Sequence, residues 1–296
     1  MTRILLTGNN GQIGWELLRT LATLGEVVAL TRNELDLGNL DLTRQAVREH
    51  KPTLIVNAAA YTAVDRAEEE STLAMAINGI SPGVLAEEAM RIGAPLIHYS
   101  TDYVFDGEKN DPYSEDDMTN PLNIYGKTKL AGEQAIQAVG GAYLIFRTSW
   151  VYGMRGNNFL SKILKNAEEH DSLSVVNDQI GAPTWSRMVA EATAQIIAKI
   201  SCRSNPKLFF EEISGIYHLT AAGKTSWYGF AEAILANRSG LTAVPRLVPI
   251  SSDKYASPTI RPLNSLLSNA KLNSRFNISL PAWMTGLELC MNEANV

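Results

Sequence analysis

The chain has 296 residues, 45% hydrophobic and 19% charged, and its 26 basic against 31 acidic side chains give a net charge of −5. At roughly 150 residues per domain that length suggests two domains, with core enough to fold without disulfides or a structural metal. The composition excludes collagen-like and disordered chains, the acidic balance speaks against nucleic acid as the main partner, and no run reaches the ~18 apolar residues of a membrane span. Two lone thiols, Cys202 and Cys290, are neither a disulfide framework nor a zinc site. They fit a reducing compartment, the cytoplasm. The apolar run at the N-terminus is too short for a signal peptide.

In chain order, strands are expected at residues 3–7, 27–30, 53–58, 95–100 and 142–147. Each is continuously apolar, as parallel strands covered on both faces are. Helical spacing separates them: Ile13, Leu17, Leu18, Leu21 and Leu24, then Val84, Leu85, Ala89 and Ile92. Strand–helix alternation implies an α/β fold with a doubly wound parallel sheet. Residues 1–150 are expected to form a Rossmann domain, completed by segments near 184–200 and 216–220. Residues 151–296 are expected to form mainly a smaller α/β substrate domain. There the pattern predicts a loop at 177–183, helices at 186–200, 228–237 and 283–291, a strand at 216–219 and an extended loop at 257–262.

Gly8, Gly11 and Gly14 form a G-x-x-G-x-x-G between the first strand and the first helix, with Gln12 and Ile13 inside it. In such a loop one glycine permits the turn, one lets backbone approach a pyrophosphate, and the last packs helix on strand. The helix N-terminus adds unpaired N–H groups for the phosphates. The second strand ends at Thr31-Arg32, where NAD sites carry an acid for the ribose. A guanidinium suits a 2′-phosphate instead, so NADPH is favoured and NADH allowed; a plain surface charge is the competing reading of Arg32. Asp36-Leu37 is read as a strand end holding the adenine edge, with a turn Asp as the alternative.

Tyr125 and Lys129 stand four apart, on one face of a predicted helix. A neighbouring ammonium favours the phenolate, so Lys129 is expected to lower the Tyr125 pKa. Such a tyrosine can exchange a proton with a carbonyl oxygen. Thr101, at a strand's carboxyl end, can hold the same oxygen, with Ser100 as a substitute. Lys127 is another nearby cation, but it points away from Tyr125.

Gly8, Gly11, Gly14, Thr101, Tyr125 and Lys129 together resemble the extended short-chain dehydrogenase/reductase family. Segments 57–65, 100–105, 121–129, 147–153, 177–184 and 261–265 resemble its nucleotide-sugar 4-ketone reductases more closely, across residues 3 to about 290. The resemblance implies NADPH- or NADH-dependent reduction of a nucleotide-sugar C4 ketone. Tyr125 would act as acid, Lys129 as the cation holding the nicotinamide ribose, and Thr101 as the group orienting the ketone. It places Ala58, Ala59 and Ala60 beside the cofactor and Asn78 near the catalytic helix, where capping a turn is the alternative. Thr62, Val64, Asp102, Tyr103 and Trp150 would touch the sugar or its diphosphate; packing is the competing reading for Val64 and Trp150. Related 4,6-dehydratases carry Thr-Asp-Glu, whose Glu abstracts a proton. Here Tyr103 follows Thr101-Asp102, which favours plain reduction. Some relatives bind magnesium between two subunits. Glu16 matches one such acid, but Trp185-Ser186-Arg187 stands where others are expected. A hard cation needs several oxygens, so no metal is assigned and a homodimer stays open. Other relatives are NADP-binding regulatory subunits; the intact Thr101, Tyr125 and Lys129 favour turnover.

Overall fold

The computed structural model describes residues 2–238 and 244–293. The chain begins β1 (Arg3–Thr7), α1 (Gln12–Leu21), β2 (Glu26–Leu30), α2 (Leu40–His50), β3 (Leu54–Asn57), α3 (Val64–Ala67) and α4 (Ser71–Met75). A π-helical turn at Ala76–Ile80 leads into α5 (Ser81–Ile92), β4 (Leu96–Thr101), a 3-10 turn at Asp102–Val104, α6 (Ile124–Val139) and β5 (Tyr143–Thr148). After these come β6 (Val151–Tyr152), α7 (Phe159–Glu169), β7 (Ser172–Val176), β8 (Ile180–Gly181), β9 (Thr184–Trp185) and α8 (Ser186–Ser201). The remainder is α9 (Pro206–Glu212), β10 (Gly215–His218), β11 (Thr225–Ser226), α10 (Trp227–Ala236), β12 (Arg246–Ile250), α11 (Ala270–Phe276) and α12 (Trp283–Glu293).

Six strands form one parallel sheet in the order β10-β5-β4-β3-β1-β2. The five strands expected in the first half of the chain appear with ends shifted by no more than one residue. In β1, β3, β4 and β5 this apolar character goes with burial on both faces, whereas β2, at the sheet edge, is only half-buried. Successive side chains alternate faces, so Ile4 and Leu6 join Leu17 of α1 and Val189 of α8 in one core. Leu5 lies on the other side with Val47 of α2, Leu85 of α5 and Ile136 of α6. Strand order reverses between β1 and β3, and such a switch point opens a crevice at the carboxyl ends.

Asp36-Leu37 does not end a strand. It lies in the loop between β2 and α2, where Asp36 Oδ1 accepts from the Gly38 N–H at 3.0 Å. Leu35 and Leu37 bury against Ala46 and Ile77, so the segment read as a strand end is a loop pinned by two apolar side chains.

A second core gathers Leu160 of α7, Leu173 of β7, Phe230 of α10 and Leu287 of α12. Beside it β7 and β12 pair in parallel. The chain runs back and forth between the two cores: α8 and β10 pack with the large sheet, whereas α7, α10 and α12 build the second core.

Candidate active site

A cleft of about 930 Å³ opens over the carboxyl ends of the sheet strands. Gly8, Gly11, Gln12 and Ile13 line one end, next to Ala58, Ala59 and Ala60. Gly8 has φ +73°, and a Cβ there would lie 2.6 Å from the Ala59 nitrogen. No side chain caps the N-terminus of α1, so its first-turn N–H groups are left for a ligand. Gly14 does not line the cleft: a Cβ there would lie 2.0 Å from the Gly8 carbonyl oxygen, which fits the packing role. These bare surfaces suit the pyrophosphate of a dinucleotide.

Arg32, Asp36 and Leu37 also line the cleft. The nearby acid Glu34 turns back on Thr31, accepting from its N–H at 2.8 Å and its hydroxyl at 2.7 Å. Those two bonds hold the Glu34 carboxyl below its ordinary pKa. Arg32 is thus the cation at this edge of the cleft, with Asp36 as the acid beside it.

Asn123 starts α6, accepting from the Gly126 N–H at 2.8 Å and donating to the Ile260 carbonyl at 2.9 Å. Gly126 lets the helix touch the strand-end loop, since a Cβ there would lie 2.2 Å from the Tyr103 carbonyl oxygen. The helix carries Tyr125 and Lys129 to the cleft, facing Thr101 at the end of β4. The Thr101 hydroxyl lies within hydrogen-bonding reach of the Tyr125 phenol, and it donates to Asp102 Oδ1 at 3.0 Å.

Lys129 does not lower the Tyr125 pKa: burial raises it, and the Thr101 hydrogen bond only partly opposes this. The reason is direction. Lys129 Nζ donates to the Tyr99 carbonyl at 2.6 Å and contacts His98 Nε2 at 3.1 Å. Lys129 is itself only 1% exposed. Burial pushes its pKa down to about 8, with Glu133 opposing. Ser100 is buried beside the cleft, and Lys127 is exposed.

Asn78 sits in the π-helical turn and serves neither as a plain cap nor at the cleft wall. It bonds both sides of the Tyr61 backbone, at 2.8 and 3.0 Å, and donates to Thr128 Oγ1 at 3.2 Å. The loop after β3 is thereby fixed to α6.

Thr62, Val64, Asp102, Tyr103 and Trp150 line the other end of the cleft. Asp102 is 3% exposed, and burial raises its pKa to about 6 against bonds from Ser265 and Thr101. Burial likewise pushes Tyr103 up to about 12. Trp150 is half-buried and stacks on Trp227, ring centroids 3.6 Å apart and 7° from parallel. Its φ of +48° is a strained value for a bulky residue, of the kind held at ligand sites. Gly181 leaves room for the ring: a Cβ there would lie 2.4 Å from it.

Sequence reasoning missed several groups at this cleft. Lys162 on α7 and Arg261 in the loop before α11 both line it. Arg261 pairs with Asp65 at 3.0 Å and bonds Tyr103. Gln12 accepts from Asn158 Nδ2 at 2.9 Å, tying α1 to the loop after β6. In that loop Arg155 lies over the Trp15 ring at 3.2 Å, and Arg19 lies over the same ring at 3.4 Å. The signal available was the Asn158 capping pattern with Ser161; nothing local marked Arg155 or Lys162. Arg187 pairs with Glu191 at 3.0 Å. Among the described residues no group of three His, Cys, Asp or Glu gathers as for a metal, and no helix is long and apolar enough to cross a membrane.

A family model described as the RmlD substrate binding domain matches residues 1–296. A dTDP-4-dehydrorhamnose reductase of Burkholderia thailandensis is 48% identical, over 98% of both chains. The crystal structure of a dTDP-4-dehydrorhamnose reductase from Clostridium acetobutylicum superposes with a TM-score of 0.90 at 36% identity, covering 100% of each chain. Another, from Bacillus anthracis in complex with NADP, gives 0.88 at 34% identity, covering 99% of this chain and 100% of that one. Glycine loop, Tyr125 helix and sheet order thus fall within one lineage, and this chain belongs to the RmlD substrate binding domain family of extended short-chain dehydrogenase/reductase-like enzymes.

Proposed function

We propose that the chain reduces the C4 ketone of dTDP-4-dehydro-L-rhamnose to dTDP-L-rhamnose with NADPH or NADH, the last step of dTDP-rhamnose biosynthesis. The observation that carries this reading is the meeting of Thr101, Tyr125 and Lys129 with the glycine loop in one cleft. We read residues 1–150, with α8 and β10, as the cofactor half, and most of 151–296 as the substrate half.

The chemistry that a nicotinamide would supply when held in this cleft is a hydride for C4. Tyr125 supplies the proton to the ketone oxygen. Its half-buried phenol, its pKa raised by desolvation, keeps that proton at neutral pH, so it enters each turnover loaded as an acid. Positioned acids of this kind contribute roughly 10²–10⁴-fold. Thr101 orients the same oxygen through its hydroxyl. Lys129, one turn along α6, holds the ribose of the nicotinamide. The glycine loop, Gln12, Ile13, Asp36, Leu37 and 58–60 hold the rest of the dinucleotide. Arg32, exposed at the cleft edge, would suit a 2′-phosphate, which favours NADPH. Thr62, Val64, Asp102, Tyr103 and Trp150 wall the sugar. Both ligands are polyanions and the chain carries a net −5. Their binding therefore depends on local groups: N–H donors at α1, and Arg32, Lys162 and Arg261 at the cleft.

We assign no magnesium, because Ser186-Arg187 replace the expected acids; a homodimer would have to close without it. The unbridged thiols Cys202 and Cys290 and the nature of the two substrates support a cytoplasmic site of action. The test is oxidation of NADPH by purified protein given dTDP-4-dehydro-L-rhamnose. Turnover is expected, and Tyr125→Phe should lose roughly 10²–10⁴-fold in kcat with cofactor affinity near normal. No oxidation by folded, cofactor-bound protein would sink the reading.

A further inference from the structure

Behind the cleft a line of enclosed polar groups joins the glycine-loop strand to Lys129. Asn57, His98 and Lys129 are 0%, 1% and 1% exposed. Asn57 Oδ1 accepts from the Thr7 hydroxyl at 2.6 Å and from the Ala59 N–H at 3.3 Å. These bonds fix the amide: turned over, its NH2 would face the Ala59 N–H. Asn57 Nδ2 therefore points at His98 Nδ1, 3.0 Å away, and donates to it. A neutral imidazole carries one N–H. With Nδ1 accepting, that hydrogen sits on Nε2. His98 Nε2 lies 3.1 Å from Lys129 Nζ. Two donors cannot share a hydrogen bond, so Nζ must accept, and only an unprotonated amine has the lone pair to do so. The amine still donates to the Tyr99 carbonyl at 2.6 Å.

We propose that His98 is a positioning residue whose tautomer, locked by Asn57, holds Lys129 as a neutral amine until the cleft is filled. The amine takes up a proton from solvent when Nζ leaves Nε2 for a ligand. Burial keeps the imidazole neutral and lowers the pKa of Lys129 to about 8; that alone leaves Nζ mostly protonated at pH 7, and it is the Nε2 hydrogen facing Nζ that tips the balance to the amine. The charged and titratable groups around Nζ are few. Glu133, one turn further along α6, favours the ammonium, but its carboxylate is occupied by Arg147 at 3.0 and 2.6 Å. Tyr125 and Asp102 face the cleft side. An imidazolium at His98 would set an N–H against the Asn57 amide as well. The role in turnover rests on the reductase reading; the tautomer does not.

The experiment is two-bond ¹H–¹⁵N correlation on ligand-free, ¹⁵N-histidine-labelled protein at pH 7, with His98 assigned by loss of its signals in His98→Gln. A bare Nδ1 and a protonated Nε2 are expected. An Nδ1–H tautomer or an imidazolium overturns the proposal, whatever the activity. The second arm titrates ¹³C-lysine-labelled protein. In His98→Gln the amide oxygen can turn to Nζ, so Lys129 should hold its proton about tenfold more tightly, one pK unit. The same shift should appear in the pH profile of kcat/KM. An unchanged Lys129 titration overturns the proposal. If the variant does not fold, the wild-type tautomer decides, His98 then being the non-titrating histidine signal that remains in His218→Gln, because burial keeps His218 from titrating as well.

Discussion

Arg147 of β5 and Glu133 of α6 face each other as a bidentate pair, with Nε to Oε1 at 3.0 Å and Nη2 to Oε2 at 2.6 Å, and both side chains are at most 3% exposed. The pair bolts the helix bearing Tyr125 and Lys129 to the sheet. Removing one partner strands a buried charge, which costs ~3–5 kcal/mol, whereas replacing both by apolar groups is often near neutral. Glu133→Ala should therefore lose ~3–5 kcal/mol in urea unfolding. Glu133→Leu with Arg147→Met should lose much less. Equal losses from the single and double variants would mean that packing, not the stranded charge, sets the cost.

The three glycines of the loop differ in what they tolerate. At Gly14 a Cβ would sit 2.0 Å from the Gly8 carbonyl oxygen, and that neighbour is backbone. Gly14→Ala must part α1 from the loop, at a cost of ~1–3 kcal/mol for overpacking, and should weaken NADPH binding. At Gly11 the nearest atom is the same oxygen at 3.3 Å, which a small shift relieves. Gly11→Ala should thus destabilise less than Gly14→Ala. Thermal melts and cofactor titrations of the two variants check this, and identical behaviour would contradict the packing assignment.

Much of this was legible in the residues, for identifiable reasons. Parallel strands such as β3 and β4 bury both faces, so their apolar runs stand out. The glycine loop and the Tyr125–Lys129 spacing are local patterns. What was not legible depends on contacts between distant segments. Lys129 turns to His98, 31 residues away, instead of to Tyr125. Arg261 meets Asp65 across 196 residues, and only folding brings it to the cleft. Asp36-Leu37, read as a strand end, is a loop whose Leu35 and Leu37 are buried by Ala46 and Ile77, contacts that only folding brings together. The pKa expectation for Tyr125 failed at the same point: spacing gives proximity along a helix, but burial decides which way the charge moves.

Arg32 is exposed at the cleft edge, and Glu34 is withdrawn onto Thr31. A hydrogen bond to a charged group contributes ~1.5–3 kcal/mol. Arg32→Ala should then weaken NADPH by about tenfold to a hundredfold, while NADH binding changes little. Fluorescence titration with each cofactor measures both. Equal losses for the two would return Arg32 to the role of a surface charge.

Asp102 gives stability an unusual pH slope. Its pKa is raised from 3.8 to about 6 by burial, against hydrogen bonds from Ser265 and Thr101. Between those values the folded protein holds a proton that the unfolded chain has released. The contribution of this group is therefore complete below about pH 4, is lost as pH rises to about 6, and is flat above that. Asp102→Asn removes the slope, so variant minus wild-type stability should climb over that window by something on the order of 2–3 kcal/mol. His218, whose pKa burial lowers to about 3, gives the opposite slope, since stability falls as pH drops below the ordinary histidine value. That slope is common to both proteins and cancels in the difference. Urea unfolding of both proteins at pH 4.5 and pH 7 measures the climb, and a difference independent of pH would show that Asp102 keeps an ordinary carboxylate pKa in the fold.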